Sequence, residues 1–198
     1  MTILDQVSRS QLDAVINRFD SGDNSSDLYT DFVALIDADL GEANYFLGCL
    51  HEDGTNGVAK NLEHALFYYQ KSIDTVGYLE GYLAVARMRY HGDGIGVDYE
   101  LAFRYFTHVA EHNRHLVAAF MLGKMYQYGQ GVPLDRLIAR RWFEDAIEQG
   151  SVYGLVNLAN LEAFEGRWFK SKFLRCWAGL RATLLAWRNP KDMRLRGG

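Results

Sequence analysis

Small and aromatic residues mark a long repeat through the middle of the chain. Small residues recur every 37–38 positions, at Gly48, Ala86 and Gly123. An aromatic pair follows each of them, at Tyr68-Tyr69, Tyr105-Phe106 and Trp142-Phe143. This period is too long for a coiled-coil heptad and too short for a domain, but it suits one helix–turn–helix unit. The pattern therefore predicts helix pairs stacked in a row, in which small residues let helices approach and aromatic residues fill the space between them.

Each predicted unit has a first helix, a turn that begins with glycine, and a second helix. The turns begin at Gly54, Gly92 and Gly129. An asparagine or aspartate stands before each second helix, where its side chain can cap the first turn; these residues are Asn61, Asp98 and Asp135. With the less regular ends included, the sequence predicts an all-α fold of about five helix pairs, roughly ten helices.

The two ends of the chain depart from the repeat. Residues 1–40 predict a capping helix pair, residues 41–166 predict three full repeats and the first helix of a fourth, and residues 167–198 predict a basic amphipathic helix with a flexible tail. Terminal units of a stacked array differ from the internal ones because one of their sides faces water. The irregular ends therefore agree with a solenoid.

The third unit closely resembles the Sel1-like repeat, a relative of the tetratricopeptide repeat. The resemblance is best over residues 116–150 and extends over 41–166, with His51 and Arg89 where the motif has Tyr126. It is carried by Leu122, Gly123, Tyr126, Gly129, Gly131, Val132, Asp135, Ala139, Trp142, Phe143, Ala146 and Gly150. The resemblance implies an α/α right-handed superhelical solenoid that serves as an adaptor, often in bacterial signalling, envelope or secretion-linked complexes. The matched positions are structural, so no catalytic residue carries over.

Charge is distributed unevenly along the chain. The net charge is −4, but residues 167–198 contain nine Lys/Arg and one acid, which gives +8 and leaves −12 for residues 1–166. So acidic a body would repel phosphates, and we do not expect a nucleic-acid partner. Two cysteines without motif spacing, and the absence of a signal-peptide pattern or a long uncharged apolar run, predict a cytoplasmic protein.

Two patterns resemble chemical sites. The turn Gly92-Asp-Gly94-Ile-Gly96 resembles a phosphate-binding loop, but a dinucleotide fingerprint follows a strand, and here a helix precedes it. His108, His112 and His115 resemble zinc ligands, but the repeat register ends the helix near His112, which favours a solvated helix end. We therefore predict no metal site, no cofactor and no enzymatic activity, since motifs for nucleophiles, phosphate loops and zinc hydrolases are also missing.

The C-terminal helix has one apolar side, called the apolar stripe below. It comprises Phe169, Phe173, Cys176, Trp177, Leu180, Leu184 and Trp187. Two compatible interpretations remain open. In the first, the stripe closes the solenoid by packing on Leu155, Leu158 and Leu161. In the second, the helix contacts an anionic membrane or an acidic partner through the stripe and its basic neighbours. The residues expected at such a contact are Lys170, Lys172, Arg175, Trp177, Arg181 and Arg188.

The leading functional hypothesis is a non-catalytic scaffold that binds a protein or peptide on the concave face of the solenoid. That face should present positions of the first helices that are not needed for packing. We expect Asn44, His51, Tyr82, Arg89, Tyr126 and Glu162 there. The alternative is a peripheral adaptor that docks to anionic lipid, or to a membrane-protein complex, at the inner membrane through its basic C-terminal helix.

Overall fold

The computed structural model describes residues 3–23, 25–37, 40–93 and 96–188, and these ranges form ten α-helices without a strand. The helices are α1 (Ile3–Asp20), α2 (Asp27–Asp37), α3 (Glu42–Asp53), α4 (Leu62–Val76), α5 (Leu79–His91), α6 (Tyr99–His112), α7 (Leu116–Tyr128), α8 (Arg136–Glu148), α9 (Val152–Phe164) and α10 (Trp168–Arg188). The predicted all-α fold of ten helices in five pairs is confirmed. The predicted tail, 189–198, lies outside the described residues.

The chain divides into two compact units, one ending at Val97 and the other beginning at Asp98. In the first unit, the N-terminal helices share a core with α3. Phe32 of α2 and Phe46 of α3 stack with ring centroids 5.1 Å apart, and Leu12 of α1 is buried in the same cluster. The division of the chain into an N-terminal cap, repeats and a C-terminal segment at residues 40 and 166 stays a prediction.

The aromatic pairs form the interior of the repeats. The second member of each pair is buried, namely Tyr69, Phe106 and Phe143. Gly48 and Gly123 lie directly beneath two of these rings, because a Cβ atom at Gly48 would lie 2.5 Å from the Tyr69 ring and one at Gly123 would lie 2.6 Å from the Phe143 ring. Small residues thus admit the aromatic side chains, as the repeat pattern predicted.

Polar caps fix where the second helices begin. The side chains of Asn61, Asp98 and Asp135 accept hydrogen bonds from backbone N–H groups in the first turns of α4, α6 and α8. Gly129 ends α7 with φ +68°, a left-handed conformation that glycine adopts without steric cost. The predicted helix boundaries therefore have the local causes that the sequence suggested.

The orientation of α10 corrects one prediction. Within the second unit, α10 packs against α9 through the side that carries Ser171 and Ala178, both 3% exposed. The half-buried Leu174 and Leu185 lie on this side and cluster with Val152 and Leu155. The apolar stripe faces solvent instead, so the prediction that it packs on Leu155, Leu158 and Leu161 is wrong. The physical reason is close packing: Ser171 and Ala178 let the two helices approach and the leucines fill the space beside them, whereas large rings between α9 and α10 would hold the helices apart.

Candidate interaction surfaces

The most exposed apolar surface in the described ranges lies on α10. Phe169 and Trp187, at opposite ends of the helix, are 92% and 89% exposed. Phe173, Trp177, Leu180 and Leu184 lie between them and are exposed by 46–67%, and the Cys176 thiol is also exposed. Monomeric proteins seldom leave a large contiguous apolar patch in water, so such a patch usually marks a contact site.

Basic side chains border the apolar stripe on both sides. Because a helix turns about 100° per residue, Lys172 lies along one border and Lys170, Arg181 and Arg188 lie along the other, whereas Arg175 lies farther round the helix, towards α9. Residues 168–188 contain no Asp or Glu. Two of the five cations also contact the body of the second unit. Lys170 Nζ lies 2.8 Å from Glu162 Oε1, and Arg175 donates a 3.0 Å hydrogen bond to Asn160 Oδ1.

A buried carboxylate joins the start of α10 to its neighbours. Glu162 is completely buried and contacts Lys170, Arg167 and Arg140, the last from α8. Burial alone would raise the pKa of Glu162, but the hydrogen bonds from Lys170, Arg167 and Arg140 outweigh it and lower that pKa to about 2. The carboxylate is therefore ionised at neutral pH and holds α8, α9 and α10 together.

In the first unit, two of the residues expected on the binding face are buried. Asn44 is 2% exposed and donates a hydrogen bond of 3.1 Å to the backbone oxygen of Gly41. His51 is 8% exposed and its ring stacks on Tyr68 at 5.4 Å. Burial, and then the nearby His64, lower the pKa of His51, so its imidazole is neutral at pH 7. Both side chains thus pack within the unit.

The other expected residues differ in exposure. Tyr82 and Arg89 of α5, in the first unit, are half-buried and keep part of their side chains at the surface. In the second unit, Tyr126 is half-buried and meets the edge of Phe103 at 5.6 Å, whereas Glu162 is enclosed by its cations. Of the six expected residues, Tyr82, Arg89 and Tyr126 can therefore offer a side chain to a partner.

The sequence analysis missed two exposed aromatic residues beside the turn at Gly166. Phe164, the last residue of α9, is 69% exposed, and the Arg136 guanidinium lies 4.2 Å from the centre of its ring. Trp168, the first residue of α10, is 63% exposed. The signal in the sequence was an aromatic residue on each side of the turn at Gly166, where a helix end cannot bury both.

The Sel1 repeat model matches residues 41–74, 79–111 and 116–151, more than half of the chain. The chain belongs to the Sel1 repeat family. Repeats of this kind generally act as protein-interaction scaffolds, and the three matched segments coincide with the helix pairs α3–α4, α5–α6 and α7–α8.

Solved structures show the same fold at low sequence identity. A Sel1 repeat protein from Oxalobacter formigenes is similar with a TM-score of 0.66 and 20% identity, over 86% of this chain and 76% of that one. The antigen c5321 of uropathogenic Escherichia coli has a TM-score of 0.72 and 21% identity, and this Sel1 repeat chain aligns over 95% of its own length and 45% of c5321. Pseudomonas aeruginosa pilF has a TM-score of 0.65 and 11% identity, over 98% and 97% of the two chains. No curated protein sequence gives a significant match.

Neither chemical pattern from the sequence forms a site in the described part of this Sel1 repeat protein. His112 Nδ1 lies 2.8 Å from the backbone oxygen of His108, and no group of three or more potential metal ligands occurs among the described residues. Gly92 caps α5 with φ +75°, so the glycine-rich segment starts at the end of a helix, and residues 94–95 of it lie outside the described ranges. None of the helices described has the length and apolarity needed to cross a bilayer.

Proposed function

We propose that this chain is a non-catalytic scaffold that binds a protein or peptide partner along the first helices of its repeats. The observation that carries the proposal is the pair formed by Tyr82 and Arg89 on α5. They are seven residues apart, which is about two helical turns, so they lie on one side of the helix. Both keep part of the side chain at the surface.

The residue types support a binding role for this side of α5. Tyrosine and arginine are enriched among the residues that contribute most to protein interfaces, because each combines a large contact area with hydrogen-bonding groups. Tyr126 occupies the position of Arg89 in the next repeat and is also half-buried. Within the first unit, Asn44 and His51 would support the binding face from within, since their side chains are buried.

Cellular location follows as part of the same proposal. Cys49 and Cys176 are free thiols, which agrees with a reducing compartment. We propose a cytoplasmic protein.

Replacing Tyr82 and Arg89 together with alanine should remove partner binding. Quantitative affinity purification with the full chain as bait should show at least a tenfold loss of the partner, because interface residues of these types commonly contribute about 2 kcal/mol or more. Phe67→Ala with Lys71→Ala is the matched control. It removes an aromatic residue and a cation from α4 in the same unit, where Lys71 Nζ lies 5.0 Å from the centre of the Phe67 ring.

Circular dichroism should show the same helix content in both double variants. A partner that binds the Tyr82/Arg89 variant as strongly as the wild-type chain, with the fold intact, would contradict this binding face. A loss that is equal in the α4 control would contradict it as well.

A further inference from the structure

The apolar stripe of α10 has no partner within the described residues, although α10 itself is firmly held. The side with Leu174 and Ala178 packs on α9, and Glu162 secures the start of α10 through Lys170 and through Arg167, which directly precedes the helix. The stripe is therefore a rigid surface that already exists before any contact is made. Preformed surfaces bind more tightly because little conformational entropy is lost on association.

The charge around the stripe argues for an anionic occupant. Four cations border it, and there is no acid between positions 168 and 188, so the surroundings of the stripe are basic although residues 1–166 are acidic. A second copy of the chain, paired through the same stripe, would bring the basic borders of two α10 helices together. Like charges in contact oppose such a pairing.

The geometry argues for a flat occupant. The stripe is about 100° wide and lies opposite the side of α10 that packs on α9, so it is the part of the helix farthest from the body of its unit. Its two ends carry the most exposed rings, Phe169 and Trp187. A helix that is apolar outward and basic along both borders matches one lying in the plane of a bilayer surface, with its aromatic rings at headgroup level.

We propose that the apolar stripe docks α10 on an anionic lipid bilayer. Phe169, Phe173, Trp177 and Trp187 insert among the headgroups, while Lys172 and Arg188 extend along the helix sides to lipid phosphates. The docking is peripheral and does not require α10 to cross the bilayer. This inference goes beyond the proposed binding of a protein partner and uses a different helix, so either can fail alone.

Vesicle binding tests the docking directly. The full chain should sediment with vesicles that contain phosphatidylglycerol and remain in solution with vesicles of phosphatidylcholine alone, and binding should weaken as salt is added. Two of the four tryptophans, Trp177 and Trp187, lie in the apolar stripe. Their fluorescence emission should therefore shift to shorter wavelength on binding, as the rings leave water.

Two variants separate the apolar and the electrostatic contributions. Phe169→Ser with Trp187→Ser should weaken binding at least tenfold, and both positions are so exposed that the fold should not change. Lys172→Gln with Arg188→Gln should weaken binding about thirtyfold at low salt, because each basic residue near an anionic membrane contributes about fivefold, or ~1 kcal/mol.

Matched controls place the same changes elsewhere. Phe67→Ser with Leu137→Ser removes two exposed apolar residues from α4 and α8, and Lys60→Gln with Arg141→Gln removes two exposed cations. Both control variants should bind anionic vesicles within about threefold of the wild type, since screening limits the reach of distant surface charges.

Three outcomes would overturn the proposal. The first is a chain that does not bind anionic vesicles at low salt. The second is equal loss of binding in the control and stripe variants. The third is a chain that does not bind vesicles but uses Phe169 and Trp187 to form dimers or to bind an acidic protein. The stripe would then be a protein interface.

Discussion

Replacing Phe143 with alanine is expected to lower the free energy of unfolding by about 3–5 kcal/mol. Phe143 is completely buried, its ring lies against the backbone of Gly123, and its centroid is 6.1 Å from that of Phe120. Truncation removes apolar contacts and leaves a cavity that α7 and α8 cannot close, because their backbones are already close together at Gly123. Urea unfolding followed by circular dichroism measures the loss.

The control for Phe143 comes from an exposed position of the same helix. Leu137 is 69% exposed, so Leu137→Ala should change the free energy of unfolding by no more than about 0.5 kcal/mol. If the two substitutions had similar effects, the aromatic pairs would not form the interior of the repeats.

Replacing Glu162 with glutamine is expected to cost about 2–4 kcal/mol, because it leaves cations without their buried counter-charge. Arg140 and Arg167 keep Glu165 as a second partner, which limits the cost. Arg140 is affected most because its side chain is only 16% exposed, whereas those of Arg167 and Lys170 are 47% and 52% exposed and can be hydrated. Thermal unfolding of the variant measures the cost. Arg141→Gln, at an exposed position of α8, is the control and should be nearly neutral.

Acid should reproduce the effect of the glutamine substitution. The pKa of Glu162 is lowered from its ordinary 4.5 to about 2, so the folded state binds this proton more weakly than the unfolded state does. The resulting stability is fully present above pH 4.5 and is lost as the pH falls towards 2. The Glu162→Gln variant should lose less stability than the wild type over this range, and an equal loss in both would contradict the buried carboxylate.

The repeats could be predicted from the sequence because their causes are local and recur. A small residue such as Gly123 and an aromatic residue such as Phe143 keep a fixed spacing, and caps such as Asp135 act within one turn of their own helix. Three repetitions of one pattern reinforced each other. The helix pairs and the buried rings therefore followed from the sequence.

The orientation of α10 could not be predicted because it depends on its neighbour. Periodicity shows that a helix has an apolar side, but apolar residues are not always buried. On α10 the side with Ser171, Leu174 and Ala178 packs on α9, while Phe169 remains exposed. The sequence of α10 does not match the repeats, so its orientation could not be inferred from an equivalent helix.

The expected binding face shows a similar limit. Glu162 occupies the repeat position of Tyr126 and Arg89, and it was therefore expected on the same face. The repeat positions could not show that Arg140 and Lys170 enclose Glu162. Those cations come from helices that precede and follow α9. Burial of Asn44 likewise depends on how its own unit packs. The exposure of a side chain depends on tertiary packing, which the spacing of the repeats does not determine.

Alkylation of the two cysteines tests most directly whether the apolar stripe faces outward. Cys176 lies in the stripe and is exposed, whereas burial raises the pKa of the Cys49 thiol to about 11, which leaves about a hundredfold less reactive thiolate than at its ordinary value. In dilute, lipid-free solution, peptide mapping by mass spectrometry should show Cys176 reacting nearly as fast as in the unfolded chain and Cys49 reacting far more slowly. A native chain in which Cys176 is protected as strongly as Cys49 would mean that the stripe packs inward, and the account of α10 as a docking surface would be wrong.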